Sequence, residues 1–139
     1  MKRIDNTVCH YLKIHRTAGN VAAFYDKMLA SAGITTRQYS LLFEIGEHEN
    51  CSVSELSKVT ELDRTTLTRS LKPLFGLGLI EDKKIDGARN SVLSLTEKGS
   101  ESRDQARILW MEAQKKVEKH IGKTRLDEFE AILELLAEL

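Results

Sequence analysis

The stretch SVSELSKVTELDRTTLTRSLKPL, residues 52–74, decides the fold that we predict for this chain. Ser52 followed by Glu55 has the spacing of a capping box, which predicts the start of a short helix. Asp63 is a good N-cap for a second helix, over residues 64 to about 75. Two short helices joined by about three or four residues predict a helix-turn-helix motif.

The second of these helices has a leucine face and a basic, polar face. Leu67, Leu71 and Leu74 recur at three- and four-residue steps, so we expect them to be buried. The other positions carry arginine, threonine, serine and lysine, and no acidic residue occurs from Arg64 through Ile80. In a helix-turn-helix such side chains meet base edges in the major groove. A solvated basic face is the alternative, and for this helix alone it is the simpler interpretation.

After this helix the sequence pattern changes from a helical period to the alternation typical of strands. Residues 79–85 and 88–95 are strand-like, and Asp86-Gly87 between them is a strong hairpin signal. This turn centre places Lys84 opposite Arg89, where like charges are unfavourable unless an anion lies nearby. We therefore predict a wing with an apolar root and a basic tip that reaches a phosphate backbone or minor groove. The alternative is an ordinary surface hairpin whose lysines protect its edges from pairing.

Long amphipathic helices are predicted at both ends of the chain. Apolar residues recur at helical spacing over residues 4–31, and Thr35 opens the next helix with a capping box. Thr96 is expected to cap a helix that ends near residue 120, and Thr124 to cap another that ends at the C-terminus. Because these ends carry more apolar surface than the compact middle can cover, we predict a homodimer.

The predicted fold class is mostly α-helical with a small β-hairpin. Residues 35–96 form the winged helix-turn-helix part of a single chain, and residues 1–33 and 97–139 form its helical dimerisation part. One proline and 6% aromatic residues agree with a mostly helical chain.

Composition and charge exclude several classes of protein. The 139 residues are 41% hydrophobic and 30% charged, as is typical of a globular domain. The 21 basic and 21 acidic residues cancel, so any anionic partner must meet a local basic patch. No apolar run reaches the roughly 18 residues of a membrane span. With only two cysteines, Cys9 and Cys51, we expect a cytoplasmic protein without a disulfide framework.

The sequence contains no motif of an enzyme active site. It has no glycine-rich phosphate loop, nucleophile elbow or paired-cysteine knuckle. The four histidines share no metal-ligand spacing, and His10 and His15 fall on different faces of the first helix. We therefore expect neither catalysis nor a bound cofactor or metal ion.

Four short motifs follow one another through the chain. They are LDRTTLTRSLKPL at 62–74, GLI at 78–80, the pair Asp86 and Arg89, and LTEKG at 95–99. Together with the order of helices around them, they resemble the MarR family of winged helix-turn-helix transcription regulators over essentially the whole chain. The resemblance implies a homodimer that binds a pseudo-palindromic operator in double-stranded DNA. It also implies repression of nearby genes, relieved by a small ligand or an oxidant.

The resemblance also assigns DNA-contact positions. The second helix of the motif matches the family's recognition helix at Arg64, Thr65, Thr66, Thr68 and Arg69. The wing arginine of the family is matched by Arg89, and the phosphate-contacting start of the preceding helix by Ser52 and Ser54. Two further basic residues complete the predicted DNA-binding set, one on the polar helix face and one at the hairpin tip, Lys72 and Lys84.

Ligand sites of the family tend to lie between the dimer helices and the winged domain. Our ligand candidates at this junction, chosen for their mixture of apolar and polar groups, are Tyr11, His15, Tyr39 and Phe43. Cys9 lies where some relatives carry a sensing cysteine, which makes it a redox candidate. A small packing residue at the dimer interface is the simpler interpretation of Cys9, and we expect Cys51 to be structural.

Two other functions stay open beside a repressor released by a small ligand. One is a winged-helix adaptor that binds a protein and has no DNA recognition. It predicts that reversing the charges of Arg69 and Arg89 leaves partner binding intact. The other is a thiol-based redox-sensing regulator with Cys9 as its input, for which Cys9→Ser should abolish the response to oxidant.

Overall fold

The structure, a computed structural model, describes residues 9–139. Its elements in chain order are α1 (His10–Leu29), a 3₁₀ turn (Ala30–Ala32), α2 (Thr36–Glu47), α3 (Val53–Thr60), α4 (Arg64–Gly76), β1 (Ile80–Asp82), β2 (Leu93–Leu95), α5 (Glu97–Ile121) and α6 (Leu126–Ala137). The predicted mostly α-helical fold with a small antiparallel hairpin is thereby confirmed. Residues 4–8 of the predicted first helix lie outside the described residues.

Side-chain caps begin the helices of the middle of the chain where the sequence predicts them. Thr35 and Gln38 form the full capping box of α2: Thr35 Oγ1 accepts from the Gln38 nitrogen at 3.1 Å, and Gln38 Oε1 accepts from the Thr35 nitrogen at 3.0 Å. At the start of α3, Ser52 Oγ accepts from the Glu55 nitrogen at 3.1 Å. Thr96 Oγ1 accepts from the Gly99 nitrogen at 3.0 Å and so begins α5.

The predicted start of the last helix is wrong. Helix α5 ends at Ile121, close to the predicted end near residue 120, and Gly122, with a φ of 100°, follows it. The Arg125 nitrogen then donates to the Gly122 oxygen at 3.0 Å, which closes a turn over these residues. Because this turn includes Thr124, the helix begins only at Leu126, after Arg125, which makes no side-chain cap bond.

The core lies where α2, α3, α4 and the base of the hairpin meet. Its fully or almost fully buried members include Leu42, Ile45, Leu56, Leu67, Leu71, Leu74 and Leu93. The three predicted leucines of α4 are all among them, and burying each contributes roughly 1.5–3 kcal/mol. Val59 of α3 lies at helical spacing from the buried Leu56 but is 41% exposed. It lies in the last turn of the eight-residue α3, one residue before the end of the helix at Thr60.

The hairpin is shorter than predicted and has a different register. Each strand has three residues, with Ile80 opposite Leu95 and Asp82 opposite Leu93. The predicted strands over residues 79–85 and 88–95 are therefore wrong in length, and no ladder places Lys84 opposite Arg89.

A side chain explains why the ladder ends early. Lys83 donates its backbone nitrogen to the Val92 oxygen at 2.8 Å. Asp82 Oδ1 then accepts from the nitrogens of Lys84 at 3.1 Å and Val92 at 2.9 Å. Because a carboxylate takes these backbone donors, the chain opens into a loop over residues 83–92. The predicted turn is still found within it, since the Ala88 nitrogen donates to the Ile85 oxygen at 2.9 Å.

The end helices leave much of their apolar surface uncovered. Leu29 is the one buried residue of α1 within the described part of the chain, and α6 has none there. The α6 side chains that are between 39% and 64% exposed are Phe129, Ile132, Leu133, Leu135 and Leu136. No helix within residues 9–139 is both long enough and apolar enough to cross a membrane.

Candidate nucleic-acid interface

Helix α4 presents its polar face directly away from the core. Leu67 and Leu71 anchor one side of the helix. On a helix with 3.6 residues per turn, Thr65, Arg69 and Lys72 fall on the opposite side, and all three are exposed. The burial of the leucines therefore fixes the direction in which these three side chains point.

A groove of about 700 Å³ runs between α4 and the base of the hairpin. Its lining residues are Val53, Arg64, Thr65, Thr68, Arg69, Leu71, Lys72, Phe75, Asp82, Ser91 and Leu93. The structure thus brings together five of the predicted DNA-contact residues, those of α4 other than Thr66, along one wall. The groove has an apolar floor and carries three cationic side chains, so it can accept a polyanion.

Ser54 and Arg64 join the two helices of the helix-turn-helix. Arg64 Nη1 donates to Ser54 Oγ at 3.1 Å, and both side chains are exposed. This bond holds the first turn of α4 against the first turn of α3. Ser52 lies beside them as the α3 N-cap, so all three residues surround the start of α3.

Thr66 is held in the cap of α4 and is half-buried. Asp63 Oδ1 accepts from the Thr66 nitrogen at 2.8 Å, and the Thr66 hydroxyl donates to Asp63 Oδ2 at 2.8 Å. The Thr66 backbone bond and then its hydroxyl hold the pKa of Asp63 below its ordinary value of 3.8. An ionised Asp63 is thus part of the start of this helix at neutral pH.

The hairpin loop supplies basic residues beside the groove. Lys84 and Arg89 are exposed on the loop over residues 83–92 and do not line the groove itself. The Val92 backbone bond holds the pKa of Asp82 below its ordinary value, so this carboxylate at the loop base stays ionised. Sequence reasoning missed Asp82 and Ser91 as groove residues because it assumed a longer ladder with another register.

The predicted ligand candidates form two separate aromatic pairs. Tyr11 and His15 stack with ring centroids 5.9 Å apart near the start of α1, and both are exposed. Tyr39 lies 6.4 Å from Phe43 and 6.0 Å from Trp110 of α5, where α2 meets that helix. The single chain therefore does not unite the four residues at one site, and Trp110 was missed.

A second groove, of about 780 Å³, lies between α1, α5 and α6. None of the predicted ligand candidates lines it; its apolar walls include Val21, Phe24, Ile121, Leu126 and Phe129. Tyr25 at its edge donates its hydroxyl to Gln114 Oε1 at 2.5 Å, which ties α1 to α5. The groove continues the uncovered apolar surface of the end helices.

The two cysteines lie in different environments. Cys9 is exposed at the N-cap position of α1. Cys51 is buried and pairs with Leu93 in an isolated β-bridge, and burial raises the pKa of its thiol. The expected structural role of Cys51 fits this position.

A helix-turn-helix followed directly by a two-stranded hairpin on one core defines a winged helix-turn-helix protein. The MarR family model matches residues 34–87. The organic hydroperoxide resistance transcriptional regulator of Bacillus subtilis (strain 168) is 32% identical over 105 residues, which are 75% of this chain and 70% of that relative. The chain belongs to the MarR family, as the sequence motifs predicted.

Solved structures agree with this assignment. The Mycobacterium tuberculosis transcriptional regulator MosR, in complex with DNA, superimposes with a TM-score of 0.78 at 31% identity, over 94% of this chain and 97% of that one. A mutant MarR from E. coli, complexed with operator DNA, gives a TM-score of 0.83 over 98% of this chain and 99% of that one. At 21% identity the second likeness concerns the fold alone.

Proposed function

We propose that this protein is a sequence-specific transcription regulator that binds double-stranded DNA as a homodimer. The observation that carries the proposal is the basic groove between α4 and the hairpin, with Arg64, Arg69 and Lys72 along one wall. Helix α4 enters a major groove, and the loop over residues 83–92 lies against the flanking backbone. Membership in the MarR family supports the same function.

Charge distribution supports a polyanionic partner. The chain has no net charge, yet no acidic residue occurs between Asp63 and Glu81. Every charged side chain of α4 is therefore cationic. Asp82 is a groove carboxylate, but its Oδ1 already accepts two backbone hydrogen bonds. This carboxylate therefore has partners of its own within the protein. When phosphates pair with the cationic side chains, counterions are released from the DNA, so the affinity should depend on salt.

The proposed contacts divide into two groups. The first group contacts base edges or positions the side chains that contact them, and it consists of Arg64, Thr65, Thr66, Thr68 and Arg69. The second group contacts phosphates and consists of Ser52, Ser54, Lys72, Lys84 and Arg89. The wing arginine, Arg89, contacts either a phosphate or the minor groove. Arg69 is the foremost base-reading residue in this proposal, because its side chain is exposed on the side of α4 opposite the buried leucines.

A second copy of the chain covers the end helices in this proposal. Residues 1–33 and 97–139 form the dimerisation part, and residues 35–96 form the DNA-binding part. Apolar surface on α6 and the groove against α1 and α5 supply the contact. Two-fold symmetry then requires a pseudo-palindromic operator with half-sites about 10 bp apart, or a multiple of that spacing.

The proposed regulatory action is cytoplasmic repression of nearby genes, relieved by a small ligand or an oxidant. A relative that shares 32% identity is named for organic hydroperoxide resistance, which supports an oxidant among the candidate signals. Cys9 is exposed and therefore accessible to an oxidant in the single chain. A Cys9→Ser variant that keeps its DNA affinity and loses release by cumene hydroperoxide would support this input. Unchanged release would remove it.

The central experiment selects bound duplexes from random-sequence DNA with the full chain. We expect enrichment of one pseudo-palindrome, and affinity for it that falls steeply as salt rises. A winged-helix adaptor without DNA recognition predicts no enriched sequence, and that result would contradict the proposed function.

A further inference from the structure

The start of α5 presses directly on the backbone between α4 and β1. A Cβ atom added to Gly99 would lie 1.9 Å from the backbone oxygen of Leu79 and 2.9 Å from its carbonyl carbon. Because both atoms belong to the main chain, no side-chain rotation could relieve this overlap. Gly99 therefore marks a contact in which two segments of backbone must stay close.

Three hydrogen bonds hold the same contact. The Thr96 nitrogen donates to the Leu79 oxygen at 3.1 Å, and Thr96 Oγ1 donates to the Gly78 oxygen at 2.6 Å. Lys98 Nζ donates to the Leu77 oxygen at 2.9 Å. Every acceptor is a main-chain carbonyl in the three-residue turn that leaves α4.

Lys98 also acts on α4 through charge. Leu77 is the C-cap of α4, where the unpaired carbonyls of a helix carry a partial negative charge. A lysine ammonium is favourable there. Pro73 lies in the same part of α4 and lacks the N–H that a helix residue donates four positions back. The end of α4 therefore depends more on contacts from α5 than an uninterrupted helix would.

Helix α5 connects this contact to the surface where the second copy is proposed to bind. With 25 residues, α5 is about 38 Å long. Its first residues hold the turn after α4, while Gln114 and Ile121 near its far end line the groove with α1 and α6. A continuous helix between the two places transmits orientation from one to the other.

We propose that Thr96, Lys98 and Gly99 form a positioning joint that sets the angle of α4 against α5, and with it the half-site spacing that the dimer accepts. This inference rests on the proposed function. None of the three residues belongs to the proposed DNA-contact set, so the joint acts on operator choice through geometry.

The test measures affinity for the selected duplex and for copies with 1 bp inserted or removed at its centre. A rigid dimer loses contacts at one half-site when the spacing changes, so wild type should bind the altered duplexes about tenfold more weakly. Lys98→Met removes the donor and keeps an unbranched side chain that is one heavy atom shorter. We expect Lys98→Met to reduce the affinity for the duplex of native spacing about 2- to 5-fold. Its affinity for the duplexes of altered spacing should fall by less.

Matched variants separate geometry from charge and from stability. Lys115→Met removes an exposed lysine of the same helix. It should leave unchanged the spacing ratio, which is the affinity for the selected duplex divided by the affinity for a duplex of altered spacing. Lys98→Arg keeps a long cationic donor and should restore that ratio. Gly99→Ala forces the backbones apart and should change the spacing preference more than Lys98→Met. If Gly99→Ala fails to fold, the Lys98 series still decides the question.

The outcomes distinguish the joint from the proposed function. A spacing ratio that falls in Lys98→Met, recovers in Lys98→Arg and is constant in Lys115→Met supports the joint. Parallel losses at every spacing in both methionine variants would overturn it and leave DNA binding standing. Absence of any enriched duplex for wild type would remove the proposed function itself, and the joint with it.

Discussion

Hydrogen bonds divide the polar residues of α4 into those that build the helix start and those that face outward. Asp63 and Thr66 bond to each other in the cap, and Arg64 bonds to Ser54 across the motif. Arg69 lies one turn further on, on the side opposite the buried leucines. At the scale of single residues, we therefore expect the proposed base recognition to depend most on Arg69.

Arg69→Ala should cost roughly 1–3 kcal/mol of binding to the selected duplex and relax the sequence preference at one position. The reason is that an arginine can bond the O6 and N7 atoms of one guanine together. Fluorescence anisotropy with the selected duplex and its single-base variants measures both effects. Arg107→Ala, at an exposed position of α5, serves as the control and should leave them unchanged. Equal losses in the two variants would contradict the assignment.

Lys84→Ala should weaken binding to all sequences by the same factor. Lys84 is exposed on the hairpin loop, and in the proposed complex it should neutralise one phosphate without reading a base. The slope of log affinity against log salt should therefore fall by about one unit. The measurement is a salt titration with the selected duplex and with a scrambled one. A change in preference between the two duplexes would show that Lys84 takes part in sequence recognition instead.

At the scale of single elements, the start of α4 should respond to pH. The Thr66 bonds lower the pKa of Asp63 from its ordinary value of 3.8. Its ionised form thus stabilises the folded state above pH 3.8, and this contribution should be lost as the pH falls below 3.8 through the lowered pKa.

Asp63→Asn provides the matched control for this pH effect. Asparagine is also a good N-cap but does not titrate. The difference in thermal stability between wild type and Asp63→Asn should therefore decrease as the pH falls below 3.8. Melting curves followed by circular dichroism give this difference, and a difference independent of pH would contradict the role of the ionised cap.

Local hydrogen bonding explains which elements could be predicted from the sequence. The caps at Thr35, Ser52, Asp63 and Thr96 each join residues three apart, so their pattern is visible in the sequence itself. The leucine face of α4 follows for the same reason, because its period is local.

The hairpin register could not be predicted in this way. Asp86-Gly87 was correctly placed in a turn, but the ladder ends where the Asp82 carboxylate accepts from Val92, ten residues away. A side chain that replaces a ladder bond leaves no periodic signal. The shift in register also hid Ser91, which lines the groove.

At the scale of the whole molecule, the uncovered surface of the end helices is the main feature that one chain leaves unexplained. The sequence predicted an excess of apolar surface, and α6 has no buried residue in the described chain. The aromatic pairs at Tyr11 and Tyr39 remain apart in one copy. Contacts between two copies of the chain leave no periodic signal in the sequence, and they are not present in the structure of one chain.

Leu133→Glu should convert the dimer to a monomer. Leu133 is 48% exposed on α6. A carboxylate at this position would have to give up its hydration when the dimer forms. The substitution also removes the apolar contact of leucine, which contributes roughly 1.5–3 kcal/mol when the side chain is fully buried. Sedimentation velocity should show half the wild-type mass. Glu128→Gln changes an exposed polar position of the same helix and should stay dimeric. A dimer in both variants would place the interface elsewhere.

The most direct test of the account is a hydroxyl-radical footprint of the wild-type dimer on the duplex that it selects. If α4 and the hairpin of each copy bind adjacent grooves, two protected patches related by two-fold symmetry should lie on one face of the duplex, centred about 10 bp apart or a multiple of that spacing. Arg69→Ala should weaken both patches together. A single asymmetric patch, or protection that is the same on any sequence, would contradict the claim that paired copies of α4 recognise the operator.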